Sequence, residues 1–518
     1  MIDPSRKKGR KAGLEAKAGP DLAPWLIVAA ALALRLVQLG AGRGLDPDEA
    51  YYILLAQEAP AKLLSDLSQG AHPPLYFLCL HYWTSLFGIT ETAARLLSVV
   101  FGTAMVAAIY RVGSRLFSRE AGLYAAALAC LSPLHVFYSR EARMYTLVPL
   151  LSLWAFYLLI RALKEDRAKD WAGLALCLCA GAYTHNYGLF LLPAAALAML
   201  LPCSAGRRSR LALALAAAAL CYLPWMGTIL KQAASPGLKW IGPFFKQLPP
   251  WAAVLRSLEV MGSGGIYQTL NYSLSLQTDL RWPAAAVYAI LLGKAAAAAR
   301  RDDTGKIAFS FLLVPLAIPW AVSLASSPIY VAGRYDMIAL PFYLLIIAWG
   351  ISRFTRPWKR AFLSAAIILS AYSLYALYFR SPLMPSRQQA DYLRQQVKSG
   401  DSIVFAGMTG NAVKVHFLRE RFAPDMSSFP SQADRHPGWF YADRRDPAPL
   451  HEEARRLAAE RWGRNGRVWL VGFTNDWPDS VLVRYLRERF SISRELSKPE
   501  ILLHCLEPAR SVPASPRQ

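Results

Sequence analysis

Apolar runs of close to 20 residues recur between Pro24 and Phe379, and this recurrence limits the available folds more than any other feature of the chain. A helix rises about 1.5 Å per residue, so a run of about 20 crosses a hydrocarbon layer about 30 Å thick. In lipid every backbone N–H and C=O must find a partner inside the segment, which a helix provides. Charge content agrees: 18% of residues are charged and 54% hydrophobic, where soluble chains carry about 25% charge. The expected fold is a polytopic α-helical membrane protein of about 11–13 spans, followed by a small C-terminal α/β domain.

Candidate spans cover 24–39, 74–89, 94–113, 121–138, 144–163, 171–184, 187–202, 210–230, 282–299, 307–327, 337–352 and 360–379. Residues 1–23 form a basic tail with Arg6, Lys7, Lys8, Arg10, Lys11 and Lys17. By the positive-inside rule this tail is cytoplasmic and loop 42–72 is external. Arg111, Arg115 and Arg119 read as cytoplasmic too. A full crossing at 74–89 would invert that arrangement. That segment, with Pro74 at its start and His81-Tyr82-Trp83 within it, is therefore read as a juxtamembrane or re-entrant helix. A second long loop covers 231–281. Its Trp240 and Trp251 suit an interface, and its run Gly262-Ser263-Gly264-Gly265 lacks the strand–helix setting of a phosphate loop, so a plain connection is expected.

The net charge of +23 sits mainly in the tail, between spans and near the C-terminus. Topology and attraction to anionic lipid account for it without a nucleic-acid partner. Of seven cysteines, Cys79, Cys130, Cys177, Cys179, Cys203 and Cys221 fall in or beside apolar runs. Cys505 stands alone in the polar C-terminal region, which therefore forms no internal disulfide. Cys177 and Cys179 are too closely spaced for a usual zinc knuckle. Over 381–518 the pattern changes to helix 386–398, strand 402–406, helix 411–419, helix 451–461, strand 467–473, helix 479–488 and strand 501–506. This soluble α/β domain is expected outside the membrane, on the external side.

Five polar motifs interrupt the apolar runs. Leu45-Asp46-Pro47-Asp48-Glu49-Ala50-Tyr51-Tyr52 puts three carboxylates directly after the first span. Locally it is a helix start, with Asp46 as N-cap, Pro47 as first helical residue and Glu49 completing a capping-box-like pair. It also suits chemistry at the lipid–water boundary. The two readings are compatible if Asp46 caps while Asp48 projects toward substrate. Gly70-Ala71-His72-Pro73-Pro74-Leu75-Tyr76 sets His72 ahead of a helix start, placed to bind phosphate or metal, to orient a carboxylate, or simply to bond backbone. Tyr138-Ser139-Arg140-Glu141-Ala142-Arg143-Met144-Tyr145 flanks Glu141 with two arginines, which grip phosphate bidentately; a solvated loop capped by Ser139 is the plainer alternative. Tyr183-Thr184-His185-Asn186-Tyr187 lies between apolar segments, where polar groups face a cavity or a partner helix. Arg334-Tyr335-Asp336 precedes Pro341 at the end of a span, where Arg334 could hold an anionic headgroup or snorkel.

In this order and spacing, LDPDEAYY, AHPPLYF, YSREARMYTL, YTHNYG and GRYDMIALPFY resemble the bacterial membrane glycosyltransferases of the protein O-mannosyltransferase and aminoarabinose-transferase superfamily. The branch with the nearest look is that of the lipopolysaccharide-core galacturonosyltransferases. The resemblance covers residues 24–380 and implies the GT-C fold. It implies an enzyme that moves a sugar from a polyprenyl-phosphate donor to an acceptor hydroxyl on a cell-envelope glycan, lipid or protein, at the external face of the inner membrane. It implies catalytic roles for Asp48 and Glu49, with Glu141 as helper in a Glu-x-Arg setting where several relatives use Asp. His72 stands where some relatives carry an acidic metal ligand, which leaves a divalent metal open. The attacking hydroxyl must lose its proton to a base, and the departing phosphate needs cationic neighbours. Arg143 and Arg334 are assigned to the phosphate, and Arg140, His72, His185, Tyr52 and Tyr335 complete the substrate-binding set. The alternative is a transporter or flippase of a lipid-linked glycan. A transporter places its ionisable residues near the bilayer midplane on broken helices, whereas here the carboxylates cluster in an external loop. A non-catalytic assembly subunit is a third reading, marked by indifference to Asp48.

Overall fold

The computed structural model describes residues 21–40, 44–233, 241–246, 249–263, 278–379, 386–434, 448–460, 466–472, 490–498 and 501–508, with Leu482, Tyr485 and Leu486. The first part of the bundle comprises α1 (Ala23–Leu36), α2 (Pro47–Leu55), α3 (Pro60–Gln69), α4 (Leu75–Phe87), α5 (Glu91–Leu116), α6 (Arg119–Leu131), α7 (Pro133–Ser139), α8 (Leu147–Glu165) and α9 (Ala168–Thr184). It continues through α10 (Leu191–Ala196), α11 (Arg208–Ala233), α12 (Ile241–Lys246), α13 (Ala252–Ser263), α14 (Thr278–Ala299), α15 (Asp303–Ala325), α16 (Leu340–Ser352) and α17 (Arg356–Phe379).

Every candidate span falls largely on helix, though not every helix is long enough to cross alone. Among the described residues, seven stretches are long and apolar enough to span alone: Glu91–Leu116, Met144–Glu165, Arg208–Gln232, Trp282–Ala299, Asp303–Ala325, Tyr335–Ser352 and Arg356–Phe379. The pair α6 and α7, expected as one span over 121–138, bends by 59° at Ser132–Pro133 and brings the number to eight if it crosses as a unit. α4 has 13 residues, or about 20 Å of helix, short of a full crossing and in keeping with a juxtamembrane or re-entrant piece. Expected span 187–202 is a run of 3-10 turns around α10. The expected 11–13 counted every apolar run, including shorter apolar helices such as Ala23–Leu36 and Asn186–Leu200.

α16 is the central helix. Its sequence, LPFYLLIIAWGIS, is apolar on all sides, and Leu340 through Ile351 are buried, as expected of a helix enclosed by others. Around it pack α6, α8, α14 and α15. A Cβ at Gly350 would lie 2.4 Å from the Leu291 carbonyl oxygen, so only glycine permits this approach of α16 to α14.

The bend at Pro133 has a partner in α1. Proline has no N–H, so the Ala129 carbonyl loses its i+4 donor. The Arg35 guanidinium replaces it, donating to Ala129 O at 3.2 Å and Cys130 O at 3.5 Å. The same side chain reaches Ser139 Oγ at 3.1 Å and His135 Nδ1 at 2.7 Å. A buried arginine thus spans the elbow and fixes where the chain leaves α7.

Residues 231–281, expected as a plain connection, contain α12 and α13. Gly262 and Ser263 close α13, while Gly264 and Gly265 lie outside the described residues. A Cβ on Gly262 would meet the Tyr343 hydroxyl at 2.5 Å, which gives that glycine a packing role.

The C-terminal domain runs α18 (Ser386–Gln396), β1 (Ser402–Ala406), α19 (Gly410–Arg419), β2 (Asp425–Phe429), α20 (Ala448–Glu460), β3 (Val468–Gly472), β4 (Phe490–Lys498) and β5 (Ile501–Pro508). The sheet order is β2-β1-β3-β5-β4. β1 is parallel to β2 and β3, and β5 is antiparallel to β3 and β4. Alternation along β1 sends Ile403 and Phe405 to the face covered by α18 and α19, and Val404 to the face covered by α20. β2 and β4 were not expected, and most of the helix expected over 479–488 lies outside the described residues.

Candidate active site

The start of α2 is built as its sequence dictates. Asp46 is extended (φ −64°, ψ 142°), its Oδ1 accepts the Asp48 N–H at 2.9 Å, and Pro47 follows as the first helical residue. Asp46 is therefore the N-cap. Burial first, and then the adjacent Asp48 carboxylate, push its pKa above the usual carboxylate range. With Asp46 occupied at the cap, Asp48 and Glu49 in the first turn point in different directions.

Glu49 turns inward and is sealed. Arg95 of α5 grips it with two bonds, Nε to Oε1 at 2.8 Å and Nη2 to Oε2 at 2.7 Å, and both side chains are buried. Oε1 also accepts the Ala142 N–H at 2.8 Å. Arg95 also donates to the Leu39 carbonyl at 2.9 Å and the Gly44 carbonyl at 2.5 Å. One ion pair thereby joins the loop before α2, α2 itself, α5 and the segment after α7. Removing one partner of such a pair costs about 3–5 kcal/mol.

Asp48 turns the other way and stays 26% exposed. Its Oδ2 accepts from Arg143 Nη1 at 2.9 Å and from Arg334 Nη2 at 2.6 Å. Tyr145 orients both guanidiniums, since its hydroxyl accepts from Arg334 Nε at 2.9 Å and from Arg143 Nη2 at 3.4 Å. Two arginines thus converge on one carboxylate oxygen, with Asp46 and Glu141 also within electrostatic reach of them.

His185 stands at the end of α9 beside them. Its ring centre is 5.9 Å from that of Tyr145 and 5.0 Å from that of Tyr335. The Tyr187 N–H donates to Nδ1 at 3.1 Å, so the neutral ring carries its proton on Nε2, and Nε2 is buried without a hydrogen-bond partner among the described residues. Burial, then Arg143 and Arg334, lower its pKa to about 3, so the ring is neutral at ordinary pH. His72 lies 5.6 Å from His185 and 6.4 Å from Tyr335, ring to ring. Tyr52 stacks on Phe77 at 4.2 Å and lies 5.8 Å from His72. The structure therefore gathers Asp48, Arg143, Arg334, Tyr335, His185, His72 and Tyr52 at one end of the bundle.

Two further expected members have other neighbours. Arg140 lies over the Tyr378 ring at 4.5 Å and reaches the Gln38 carbonyl at 3.4 Å, away from Asp48. Glu141 is buried within electrostatic reach of Arg95 and of Arg143, one of the two arginines on Asp48. Two residues that matter were not singled out by sequence, Arg95 and Arg35. An isolated arginine inside an apolar run was the available signal, because such a charge is retained only with dedicated partners.

The donor set does not fit a divalent cation. Asp48 Oδ2 already carries two guanidiniums, His185 uses Nδ1 as an acceptor, and no three His, Cys, Asp or Glu side chains converge among the described residues. Cationic and N–H donors that converge in this way suit an anion.

Comparison with known proteins agrees in fold. The sequence model of the dolichyl-phosphate-mannose-protein mannosyltransferase family matches residues 71–227. No curated protein matches the chain. Among solved structures, ArnT from Cupriavidus metallidurans in the apo state is similar with a TM-score of 0.58 at 14% identity, over 93% of this chain and 97% of that one. This chain has the same fold. ArnT bound to undecaprenyl phosphate gives 0.58 at 13% identity with the same coverage. The archaeal oligosaccharyltransferase AglB from Archaeoglobus fulgidus, in complex with an inhibitory peptide and a dolichol-phosphate, gives 0.53 at 12%, over 90% of this chain and 72% of that one.

Proposed function

We propose that the chain is an integral-membrane glycosyltransferase that takes a sugar from a polyprenyl-phosphate donor and passes it to a hydroxyl of a cell-envelope glycan, lipid or protein. The observation that carries this reading is Asp48 Oδ2 held by Arg143 and Arg334 at 2.9 and 2.6 Å, beside the unpartnered Nε2 of His185. The family match over 71–227 and the fold shared with ArnT support it. The site lies at the inner membrane's external face, with the N-terminus cytoplasmic, as the basic tail argues.

Chemistry follows from those residues. Before donor binds, Asp48 balances the two arginines. An arriving phosphate competes for them, and the neutral His185 Nε2–H adds a third donor to it. Asp48, relieved of the guanidiniums, then accepts the proton of the acceptor hydroxyl as that oxygen bonds the sugar C1. The C1–O bond to phosphate breaks with its electron pair staying on the phosphate, whose charge Arg143 and Arg334 stabilise. Glu49 acts as a positioning residue through Arg95, and no step passes through a metal. Order of binding follows: donor first, acceptor second.

The finer assignment is the lipopolysaccharide-core galacturonosyltransferase-like branch, supported by the order and spacing of the five motifs. Deleting the gene in its host and profiling envelope glycolipids and glycoproteins by mass spectrometry tests both levels. Loss of one sugar mass, restored by the wild-type gene, supports transfer, and a lost uronic acid in the lipopolysaccharide core supports the branch. An unchanged envelope profile would overturn the reading.

A further inference from the structure

The soluble domain, whose first helix begins more than 300 residues after Asp48, touches the acid motif at two places and the clamp behind it at a third. The Leu45 N–H, directly before the N-cap, donates to Ser386 Oγ at the start of α18 at 3.3 Å. α19 packs along α2, with Ala412 and Val415 buried in the same apolar cluster as Ala50 and Ile53. His416 Nε2 lies 3.4 Å from Glu91 Oε1, and Glu91 Oε2 lies 3.8 Å from Arg95, the residue that grips Glu49. His416 and Ser386 also approach each other at 3.4 Å. Contacts therefore hold the residue before the cap, the face of the helix and the clamp behind Glu49.

We infer that the C-terminal α/β domain is a positioning element of the active site: α19 docks on α2 and holds in place the helix that presents Asp48. α2 has only nine residues, and a helix that short is marginal without tertiary packing. The bundle supplies one side of that packing, through Arg95 and its neighbours. α19 supplies another, and α19 is itself fixed to the sheet by Val413 and Phe417. Asp48 shares its arginines at hydrogen-bond distance, so small displacements of α2 matter: misplacement of about 1 Å can cost about 100-fold in rate. The proposal rests on the glycosyltransferase reading for its kinetic part only.

The test uses the full-length protein in detergent or nanodiscs, with Val415→Arg and the double variant Ala412→Arg/Val415→Arg, which put charge into the buried α2 contact. Hydrogen exchange of peptides covering 45–56 is expected to rise by about tenfold or more as the helix opens, while the middle of α5 exchanges as in wild type. Sugar transfer is expected to fall about 10- to 100-fold in kcat with donor KM nearly unchanged, because Arg143, Arg334 and His185 sit on other elements. His416→Gln, which keeps a donor toward Glu91, should retain more activity than His416→Ala. Exchange in α19 that rises without change in α2, or exchange unchanged in both helices of the double variant, overturns the inference. Loosened α2 with full transfer overturns the kinetic part alone. Absence of transfer by the wild type counts against the enzyme reading and leaves the exchange result standing.

Discussion

At the end of the bundle away from Asp48, Arg161 pairs with Asp170 at 3.1 Å, Arg210 with Asp166 at 2.5 Å and Lys359 with Glu120 at 2.5 Å, and all of these but Asp170 are partly exposed. At the Asp48 end, Arg95 and Glu49 are sealed, and Arg143 and Arg334 are nearly so. Exposed pairs contribute about 0–1 kcal/mol each, and such charges fit topology and headgroup contact. Buried ions lose several kcal/mol of hydration apiece, and a chain holds them where chemistry or register needs them. The contrast separates two kinds of charge in one molecule, and within the second kind it separates Asp48, still open to solvent, from Glu49, which is not.

The largest expected effect is on rate. Asp48→Asn should reduce transfer by about 10²–10⁴-fold while folded protein still reaches the membrane, at a somewhat lower melting temperature because Arg143 and Arg334 lose their carboxylate. Arg95→Met should do the reverse, lowering stability by about 3–5 kcal/mol, seen as lost membrane protein and a lower melting temperature. Adding Glu49→Gln to it should recover part of that loss, since the stranded carboxylate is gone. His185→Ala removes one donor to phosphate and should cost about 1.5–3 kcal/mol, some 10- to 150-fold in kcat/KM. Because the folded ring titrates near about 3, the histidine should contribute no inflection to the wild-type rate profile over about pH 5.5–8; an inflection that vanishes in the variant would show a charged imidazole instead.

Smaller effects are expected away from the site. In the C-terminal domain, burial opposes ionisation of Asp401, yet bonds from Arg467, the Lys398 N–H and the Trp469 indole hold its pKa at about 2. A depressed carboxyl stabilises the fold above its unfolded value, near about 3.9, and that contribution fades as pH falls toward 2. The Asp401 contribution should therefore be constant from neutral pH to about 4 and decline below, seen as a shallower decline below about pH 4 in Asp401→Asn. Arg210→Gln, at the exposed end, should change stability by less than about 1 kcal/mol and leave transfer unaltered.

Apolar runs made the helices legible, because burial in lipid leaves a composition signal that needs no tertiary knowledge. The number of crossings was less so. Pro133 breaks one run into a 59° elbow, and 3-10 turns break another after His185, neither of which a hydropathy window detects. Five motifs named most of the gathered site, since polar residues at span ends have few structural reasons to be there. Their division of labour was hidden: Asp48 and Glu49 are sequence neighbours with opposite environments, set by Arg95, 46 positions from Glu49. Arg140 and Arg143 looked equivalent in sequence, yet the turn after α7 sends one toward Tyr378 and the other toward Asp48. β2 escaped notice because its DMSSF sequence is polar although Ser427 and Ser428 are buried.

Complementation of the gene deletion with Asp48→Asn, scored by the restored sugar mass and by the amount of folded protein in the membrane, tests the central claim most directly. Wild-type protein levels without restoration of the sugar are the expected result. Full restoration by Asp48→Asn would contradict it, reducing the carboxylate to a structural partner of Arg143 and Arg334 and moving the transporter or assembly reading ahead.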